Sequence, residues 1–171
     1  LKDRLKSIAE EANVLLCGPN SMGFHNLDHG LRITPFLSPK GLVAGSITAI
    51  LQSGPVMCAL AHNEKRLRFN HLVSTDSEYC VTAADYMNWS LSQSTTSVIG
   101  LFLESVRDPE YFLSVLRRAQ DQNIPVVLLK VGRTEMSRRM ALSHTGAKTG
   151  EHLVFDTVMK SPGVHLVETF E

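Results

Sequence analysis

Apolar residues recur along the chain with two kinds of spacing, one typical of helices and the other typical of buried strands. Near the start, Leu1, Leu5, Ile8 and Ala9 fall on one face of a helix. Helical spacing of this kind predicts helices over residues 1–12, 55–66, 81–91, 109–121 and 151–160. Uninterrupted apolar runs rich in β-branched residues predict short strands over residues 14–17, 46–51, 69–73, 97–103, 124–131 and 164–167.

The alternation of strands and helices indicates the architecture. Strands separated by helices of about ten to fifteen residues form βαβ units, and the strands of such units are parallel. Right-handed crossovers then place helices on both faces of the sheet. Pro55 suits the first turn of one helix, and Asp108 can cap another. We therefore expect an α/β fold, a flavodoxin-like doubly wound parallel sheet of about five strands, with residues 21–40 irregular.

The composition narrows the class of protein. With 171 residues, of which 43% are hydrophobic and 20% charged, the chain fits one globular domain. Its formal net charge of zero argues against a nucleic-acid or membrane surface, and no apolar run could span a bilayer. Cys17, Cys58 and Cys80 form no CxxC motif, which indicates reduced thiols in the cytoplasm. Since the sequence begins at Leu1 within a helical pattern, we interpret it as a piece of a longer protein; a processed small protein is the alternative.

Polar residues follow the predicted strands. In open parallel sheets, ligands bind beyond the carboxyl ends of the strands, so these residues are the first candidates for a site. They are Gln52, Ser53 and Gly54 after one strand, Thr75 and Asp76 after the next, Glu104 after the third, and Arg133 with His144 after the fourth. The sequence therefore predicts a polar site at one edge of the sheet.

Ser53 and Gly54 directly precede a predicted helix, which is a position suited to an anion. Amide groups in the first turn of a helix lack partners, and the helix dipole is positive there. A glycine also lets an anion approach the backbone closely. An ordinary helix cap without a ligand fits the same two residues.

His144 lies between small hydroxyl and glycine neighbours, which is typical of a histidine presented to a ligand. A glutamate beside such a histidine fixes its tautomer and stabilises a positive or phosphorylated ring, and Glu104 is the candidate. The alternatives are a surface-loop histidine and a solvated carboxylate. His25 and His29 are four residues apart, but no helical pattern or third ligand accompanies them, and no metal site is predicted.

Five short motifs occur in a distinctive order along the chain. They are Gly18-Pro19-Asn20-Ser21, Gln52-Ser53-Gly54, Phe102-Leu103-Glu104, Lys130-Val131-Gly132-Arg133 and Ser143-His144-Thr145-Gly146-Ala147. In this order they resemble the NDP-forming acyl-CoA synthetases, the superfamily that includes the succinyl-CoA synthetase alpha subunit and the ADP-forming acetyl-CoA synthetases. The similarity extends over residues 14–168, and residues 130–150 are its most specific part.

The resemblance implies a part in converting a carboxylic acid, CoA and ATP to acyl-CoA, ADP and phosphate. A histidine of the family carries the phosphoryl group and His144 matches it, while Glu104 matches the glutamate that orients its ring. The implied phosphate-binding residues are Gln52, Ser53, Gly54, Thr145 and Gly146. The implied neighbours of CoA and the acyl group are Gly18, Pro19, Asn20, Ser21, Thr75 and Asp76.

The same resemblance implies partners, because the family also has a CoA-binding domain and an ATP-grasp domain or subunit. Residues 1–13 are then the last helix of the CoA-binding domain, and residues 14–171 form the flavodoxin-type ligase domain. Mg²⁺ is expected on the nucleotide module rather than on this chain, and the intact protein is expected to be an oligomer. This piece alone should not complete a turnover.

Three departures from the family's pattern bear on acyl specificity. Leu51 stands where a serine is usual, Pro55 removes an amide donor, and Asp76-Ser77 replaces Gly-Asn. The main alternative function is a non-catalytic domain that senses CoA or acyl-CoA in a fused protein such as an acetyltransferase. A flavin-binding domain is a third hypothesis, which the scarcity of aromatic residues near the strand ends disfavours.

Overall fold

The chain forms a seven-stranded sheet in a computed structural model that describes residues 2–62, 66–131, 158 and 160–169. The helices within these ranges are α1 (Lys2–Glu11), α2 (Gly54–Ala61), α3 (Ala83–Ser90) and α4 (Pro109–Asp121). The strands are β1 (Phe24–Asn26), β2 (Leu31–Ile33), β3 (Ile47–Leu51), β4 (Phe69–Ser74), β5 (Val98–Leu103), β6 (Val126–Lys130) and β7 (Val164–Val167). None of these four helices has the length and hydrophobicity needed to cross a membrane.

Five parallel strands form the main part of the sheet, in the order β4-β3-β5-β6-β7. They correspond to the strands predicted at 46–51, 69–73, 97–103, 124–131 and 164–167. Helices α3 and α4 pack on one face, and α2 packs on the other. The predicted α/β class, with a doubly wound parallel sheet and helices on both faces, is therefore confirmed.

Two predictions about the first part of the chain are wrong. Residues 21–40, predicted to be irregular, contain the antiparallel hairpin of β1 and β2, which extends the sheet beyond β4. Residues 14–17, predicted as a strand, form none. The Leu16 carbonyl accepts a hydrogen bond from the Val81 amide (3.2 Å), but the Leu15 side chain is 82% exposed. This apolar run lacks the paired neighbour and the covering layer that a buried strand requires.

Two apolar clusters hold the layers together. Under α3 and α4, Met87 and Phe112 contact a cluster that includes Ile99 of β5, and all three side chains are at most 1% exposed. Under α2, Met57 packs in the cluster that contains Leu72 of β4. Each fully buried side chain of this size contributes about 1.5–3 kcal/mol relative to an exposed one. The sheet that positions the strand ends is thus buried on both faces where these helices lie.

The helix starts follow local sequence signals. Asp108 caps α4 by accepting a hydrogen bond from the Tyr111 amide (3.0 Å), and the prediction for residues 109–121 is confirmed at both ends. Thr82 and Asp85 form a capping box at α3, which begins two residues later than predicted. Helix α2 ends at Ala61, earlier than predicted. The helix predicted over 151–160 lies outside the described residues except for 158 and 160.

A buried polar cluster joins the hairpin to the sheet. The His71 ring lies between Thr48 (Nδ1 to Oγ1, 3.3 Å) and Asp28 (Nε2 to Oδ2, 3.7 Å), and Trp89 contacts it edge-on with ring centroids 4.6 Å apart. His71 is 2% exposed. Burial lowers the pKa of His71, since the charged ring would lose its water; the Asp28 carboxylate opposes this shift and the neighbouring His29 adds to it. The cluster therefore holds a histidine that favours its neutral form.

Candidate functional site

The carboxyl ends of β3, β4, β5 and β6 meet at one edge of the sheet. Leu51 at the end of β3 lies beside Ser74 of β4 and Phe102 of β5, and Leu103 lies beside Lys130 of β6. The connections that leave these strands therefore begin side by side, as the sequence predicts. We call the residues that follow these strand ends, 52–54, 75–78, 104–105 and 131, the carboxyl edge.

The Gln52 side chain links two connections of the carboxyl edge. Its Nε2 donates to Glu78 Oε1 (2.8 Å) and to the Ser105 carbonyl (2.9 Å). Its Oε1 accepts hydrogen bonds from the Glu104 amide (2.7 Å) and the Ser105 amide (2.9 Å). A side-chain amide has two donors and two acceptor positions, and all four are used here. Gln52 is also 6% exposed, so its side chain holds the edge together from within.

The backbone of Glu104 is held from two sides. Its amide donates to Gln52, as above, and its carbonyl accepts a hydrogen bond from the Lys130 ammonium group. The Lys130 ammonium group also donates to the Val131 carbonyl, so the side chain folds back over the end of β6. The Glu104 side chain itself is half-buried. The strand ends thus present this carboxylate from a fixed backbone.

Glu78 is a buried carboxyl of the carboxyl edge that sequence reasoning missed. Its Oε1 accepts hydrogen bonds from Thr75 Oγ1 (2.7 Å) and the Ala83 amide (3.2 Å) in addition to Gln52, and the residue is 3% exposed. Burial raises the pKa of Glu78, while its hydrogen bonds and the positive charge of Arg107 act in the opposite direction. A glutamate in a loop is usually solvated, so no local pattern signals its burial.

The start of α2 has the features of an anion site. Ser53 is the N-cap, and its hydroxyl accepts a weak hydrogen bond from the Val56 amide (3.4 Å). Pro55 lies in the first turn and has no amide hydrogen. Among the described residues, the amides of Ser53 and Gly54 have no hydrogen-bond acceptor. Both donors lie at a helix N-terminus, where no described residue pairs with them, and Gly54 itself is buried.

Gly54 is also constrained by packing. A Cβ atom built at this position would lie 2.2 Å from Met22 Cγ, far closer than two carbon atoms can approach. The Met22 side chain thus occupies the space beside the first residue of α2. The sequence explains this glycine by the close approach of an anion. The structure adds a second reason, which is the lack of space for a side chain beside Met22.

The Gly18-Pro19-Asn20-Ser21 segment lies against the end of β4. The Ser21 hydroxyl donates to the Ser74 carbonyl, and Asn20 Nδ2 donates to Asp76 Oδ2 (3.3 Å). The peptide bond between Gly18 and Pro19 is cis. The Gly18 carbonyl accepts from the Tyr79 amide (2.9 Å). The structure therefore brings together this segment and Thr75-Asp76, the two groups that the family resemblance implies near CoA and the acyl group.

The predictions for His144, Thr145, Gly146 and Arg133 lie outside the described residues. The connection that carries them leaves β6 at Val131, whose amide donates to the Leu103 carbonyl (3.0 Å), directly before Glu104. Elsewhere, His25 Nε2 is within hydrogen-bond distance of Ser38 Oγ (2.9 Å). In the ranges that the structure describes, no three His, Cys, Asp or Glu side chains are grouped to hold a metal ion.

Comparison with known sequences identifies relatives of the whole chain. A family model described as a succinyl-CoA ligase like flavodoxin domain matches residues 44–171. All of the chain aligns at 30% identity with an ADP-forming acetate–CoA ligase of Methanocaldococcus jannaschii, covering 24% of that protein. All of it also aligns at 32% identity with a trans-feruloyl-CoA synthase of an unidentified prokaryote, covering 25% of that protein. The chain thus spans about a quarter of the length of these relatives.

Solved structures share the fold over nearly the entire chain. A dinucleotide-forming acetyl-coenzyme A synthetase of Candidatus Korarchaeum cryptofilum, in complex with phosphate and ADP, superposes with a TM-score of 0.88 at 25% identity. The match covers 99% of this chain and 37% of that one. An ATP citrate lyase of Methanothrix soehngenii superposes with a TM-score of 0.71 at 16% identity, covering 96% of this chain and 29% of that one. The second similarity is one of fold alone.

Proposed function

This chain belongs to the family of succinyl-CoA ligase-like flavodoxin domains, and from that premise we propose that it is the ligase domain of an NDP-forming acyl-CoA synthetase. The intact protein converts a carboxylic acid, CoA and ATP to acyl-CoA, ADP and phosphate. His144 carries the phosphoryl group between the nucleotide and the acyl group. The observation that carries the proposal is Glu104, whose backbone is fixed at the carboxyl edge by Gln52 and Lys130.

Glu104 is the residue that orients the His144 ring. A neutral imidazole attacks phosphorus, and a carboxylate hydrogen-bonded to its other nitrogen makes the ring a better nucleophile. That role requires a carboxylate with a defined position, because a small displacement of a catalytic group slows a reaction severely. The two backbone hydrogen bonds of Glu104 supply such a position, and the connection to His144 begins beside it at Val131.

The start of α2 binds the transferred phosphoryl group. Catalysis of phosphoryl transfer consists largely of positioning and of stabilising charge, so fixed amide donors suit it. The amides of Ser53 and Gly54 fit a phosphate, because they lack acceptors among the described residues and lie at the positive end of a helix dipole. Thr145 and Gly146 complete the phosphate site. Gln52 contributes indirectly, through its hydrogen bonds to the backbone of Glu104 and Ser105.

The other reactants are held with the help of further domains. Gly18 to Ser21, together with Thr75 and Asp76, lie near CoA and the acyl group. A CoA-binding domain precedes the ligase domain, with residues 1–13 as its last helix, and an ATP-grasp domain or subunit supplies the nucleotide site with its Mg²⁺. The length of the relatives, about four times that of this chain, supports these partners. The intact protein is an oligomer.

Phosphorylation of the intact protein tests the proposal. With ATP labelled in the γ-phosphate, wild-type protein should acquire acid-labile, alkali-stable label, and His144→Ala should acquire none. Glu104→Gln should slow labelling by roughly 100-fold or more, since it removes the charge that supports the ring. Glu110→Gln, the same change at an exposed site on α4, is the matched control and should label at the wild-type rate.

Two results contradict the proposal. Label that persists in His144→Ala places the phosphoryl group elsewhere. Absence of label from wild-type protein that still binds acyl-CoA favours the alternative, a non-catalytic domain that senses CoA.

A further inference from the structure

The amide of Gln52 can hold Glu104 in only one of its two orientations. Its oxygen faces the amides of Glu104 and Ser105, and its nitrogen faces the Ser105 carbonyl. If the amide were reversed, its NH₂ group would face the amide hydrogens of Glu104 and Ser105, and its oxygen would face the Ser105 carbonyl. A buried donor or acceptor left without a partner costs about 1–3 kcal/mol, so any further partner that accepts only from the nitrogen strengthens this orientation.

Glu78 is such a partner. Its Oε1 lies 2.8 Å from Gln52 Nε2 and has no hydrogen to donate in the charged form, so it accepts only from the nitrogen end of the amide. Glu78 is itself fixed by Thr75 Oγ1 (2.7 Å) and the Ala83 amide (3.2 Å). The carboxyl therefore has a defined position from which to hold Gln52.

Two features of Glu78 reduce the stability of the folded chain. It is 3% exposed, and burying a carboxyl group that can carry charge is costly. Its backbone also adopts a left-handed conformation (φ 49°), which is strained for any residue other than glycine. Strained conformations of this kind are concentrated at functional sites, where the surrounding structure keeps them in place. Burial also raises the pKa of Glu78, because the charged form loses its contact with water.

We infer that Glu78 is a positioning residue for the phosphoryl-transfer reaction, acting through Gln52 on the backbone of Glu104. This inference rests on the proposed function, because Glu104 matters only if it supports His144. Glu78 contacts no reacting atom in this scheme. It adds the fourth hydrogen bond of the Gln52 side chain, and that side chain holds the backbone from which the Glu104 carboxylate reaches the histidine ring.

Labelling of His144 in the intact protein tests the inference. Glu78→Ala should lower the rate of labelling by about 10- to 100-fold, as expected for a displaced catalytic group, with the KM for ATP changed less than about two-fold. Glu78→Gln keeps an acceptor oxygen for Gln52 and should label within about three-fold of wild type. Glu78→Leu, which fills the space without an acceptor, should behave like Glu78→Ala and serves if that variant does not fold.

Two controls separate positioning from loss of stability. Ser90→Ala removes a fully buried hydroxyl that donates to the Met87 carbonyl, at the opposite end of α3 from Ala83, and should leave labelling unchanged. In a Gln52→Leu background, Glu78→Ala should cause no further loss of rate, because its route to Glu104 is already broken.

Specific results overturn the inference while leaving the proposed function intact. Wild-type protein that labels on His144, together with Glu78→Ala at the wild-type rate, removes Glu78 from the reaction. Equal losses in Glu78→Gln and Glu78→Ala, or full additivity with Gln52→Leu, exclude positioning through hydrogen bonds. Absence of label from wild-type protein contradicts the proposed function itself, so the two failures are distinct.

Discussion

Replacement of Gly54 by alanine tests why a glycine begins α2. The added Cβ would lie 2.2 Å from Met22 Cγ, 3.4 Å from Met22 Cβ and 3.5 Å from Met22 Sδ. Carbon atoms in contact are about 3.5–4.0 Å apart, so the middle of the Met22 side chain must move by more than about 1 Å. That movement disturbs the segment before β1, in which the Met22 amide donates to Ser74 Oγ at the end of β4 (3.2 Å).

The expected loss of stability follows from two opposing terms. Overpacking of a filled site costs about 1–3 kcal/mol, and the half-buried Met22 can relax partly, which favours the lower half of that range. Alanine is a better helix former than glycine by up to about 1 kcal/mol, although less at a helix end. The net prediction for Gly54→Ala is a free energy of unfolding lower by about 1–2 kcal/mol.

Guanidinium unfolding followed by fluorescence of Trp89, the only tryptophan, measures this loss. In a Met22→Ala background the clash is gone, so Gly54→Ala should then be neutral or slightly stabilising. Gly100→Ala is the matched control, since the nearest atom of the described residues to its added Cβ is the Thr48 carbonyl oxygen at 4.0 Å, and it should not destabilise. An unchanged cost of Gly54→Ala in the Met22→Ala background would refute the packing argument.

The same variants separate packing from ligand approach. If Gly54 is small only because of Met22, the double variant Met22→Ala/Gly54→Ala should recover labelling of His144 together with stability. If the phosphoryl group also needs the space, stability should recover while labelling stays slow.

Three further predictions concern stability and its pH dependence. Burial lowers the pKa of His25 and His71, so below pH 6.5 the unfolded chain binds more protons than the folded one. The free energy of unfolding should therefore fall as the pH is lowered through this range, and it should fall less in His71→Gln. The effect of Glu78 has the opposite sign. Because its pKa is raised, the folded chain keeps this proton above pH 4.5, where the unfolded chain has released it. The free energy of unfolding of the wild type should therefore fall with rising pH relative to that of Glu78→Gln. Asp108→Ala removes the cap of α4 and should lower the free energy of unfolding by about 1 kcal/mol at neutral pH, as chemical denaturation would measure. No pH slope in the first two cases, or no change in the third, would contradict the stated contacts.

The elements that the sequence predicts best have local signals. Helix α4 is predicted at both ends because Asp108, Pro109 and the apolar spacing all lie within the same short segment. Strands β3, β5 and β6 are nearly continuous apolar runs, so their composition alone marks them. The hairpin of β1 and β2 was missed because each strand has three residues and is defined by pairing with β4, much later in the chain.

The residues of the candidate site also divide into those with a local sequence signal and those defined by contacts with distant residues. Gln52, Ser53 and Glu104 are predicted because each lies within two residues of the end of a strand, and the ends of parallel strands share an edge. The roles of Glu78 and Met22 depend on contacts with residues distant in sequence, such as the 26-residue separation between Gln52 and Glu78. No periodicity within a segment encodes such a contact, so these roles emerge only from the folded chain.

The hydrogen bonds of Gln52 also determine when the site forms during folding. Gln52 and Ser105 are 53 residues apart, and contacts between distant segments form late because the intervening loop must close first. The amide hydrogens of Glu104 and Ser105 bond to a buried oxygen, so they exchange with solvent only when the sheet itself opens. A chain in which this loop has not closed, such as one still emerging from the ribosome, therefore lacks the contacts that hold Glu104.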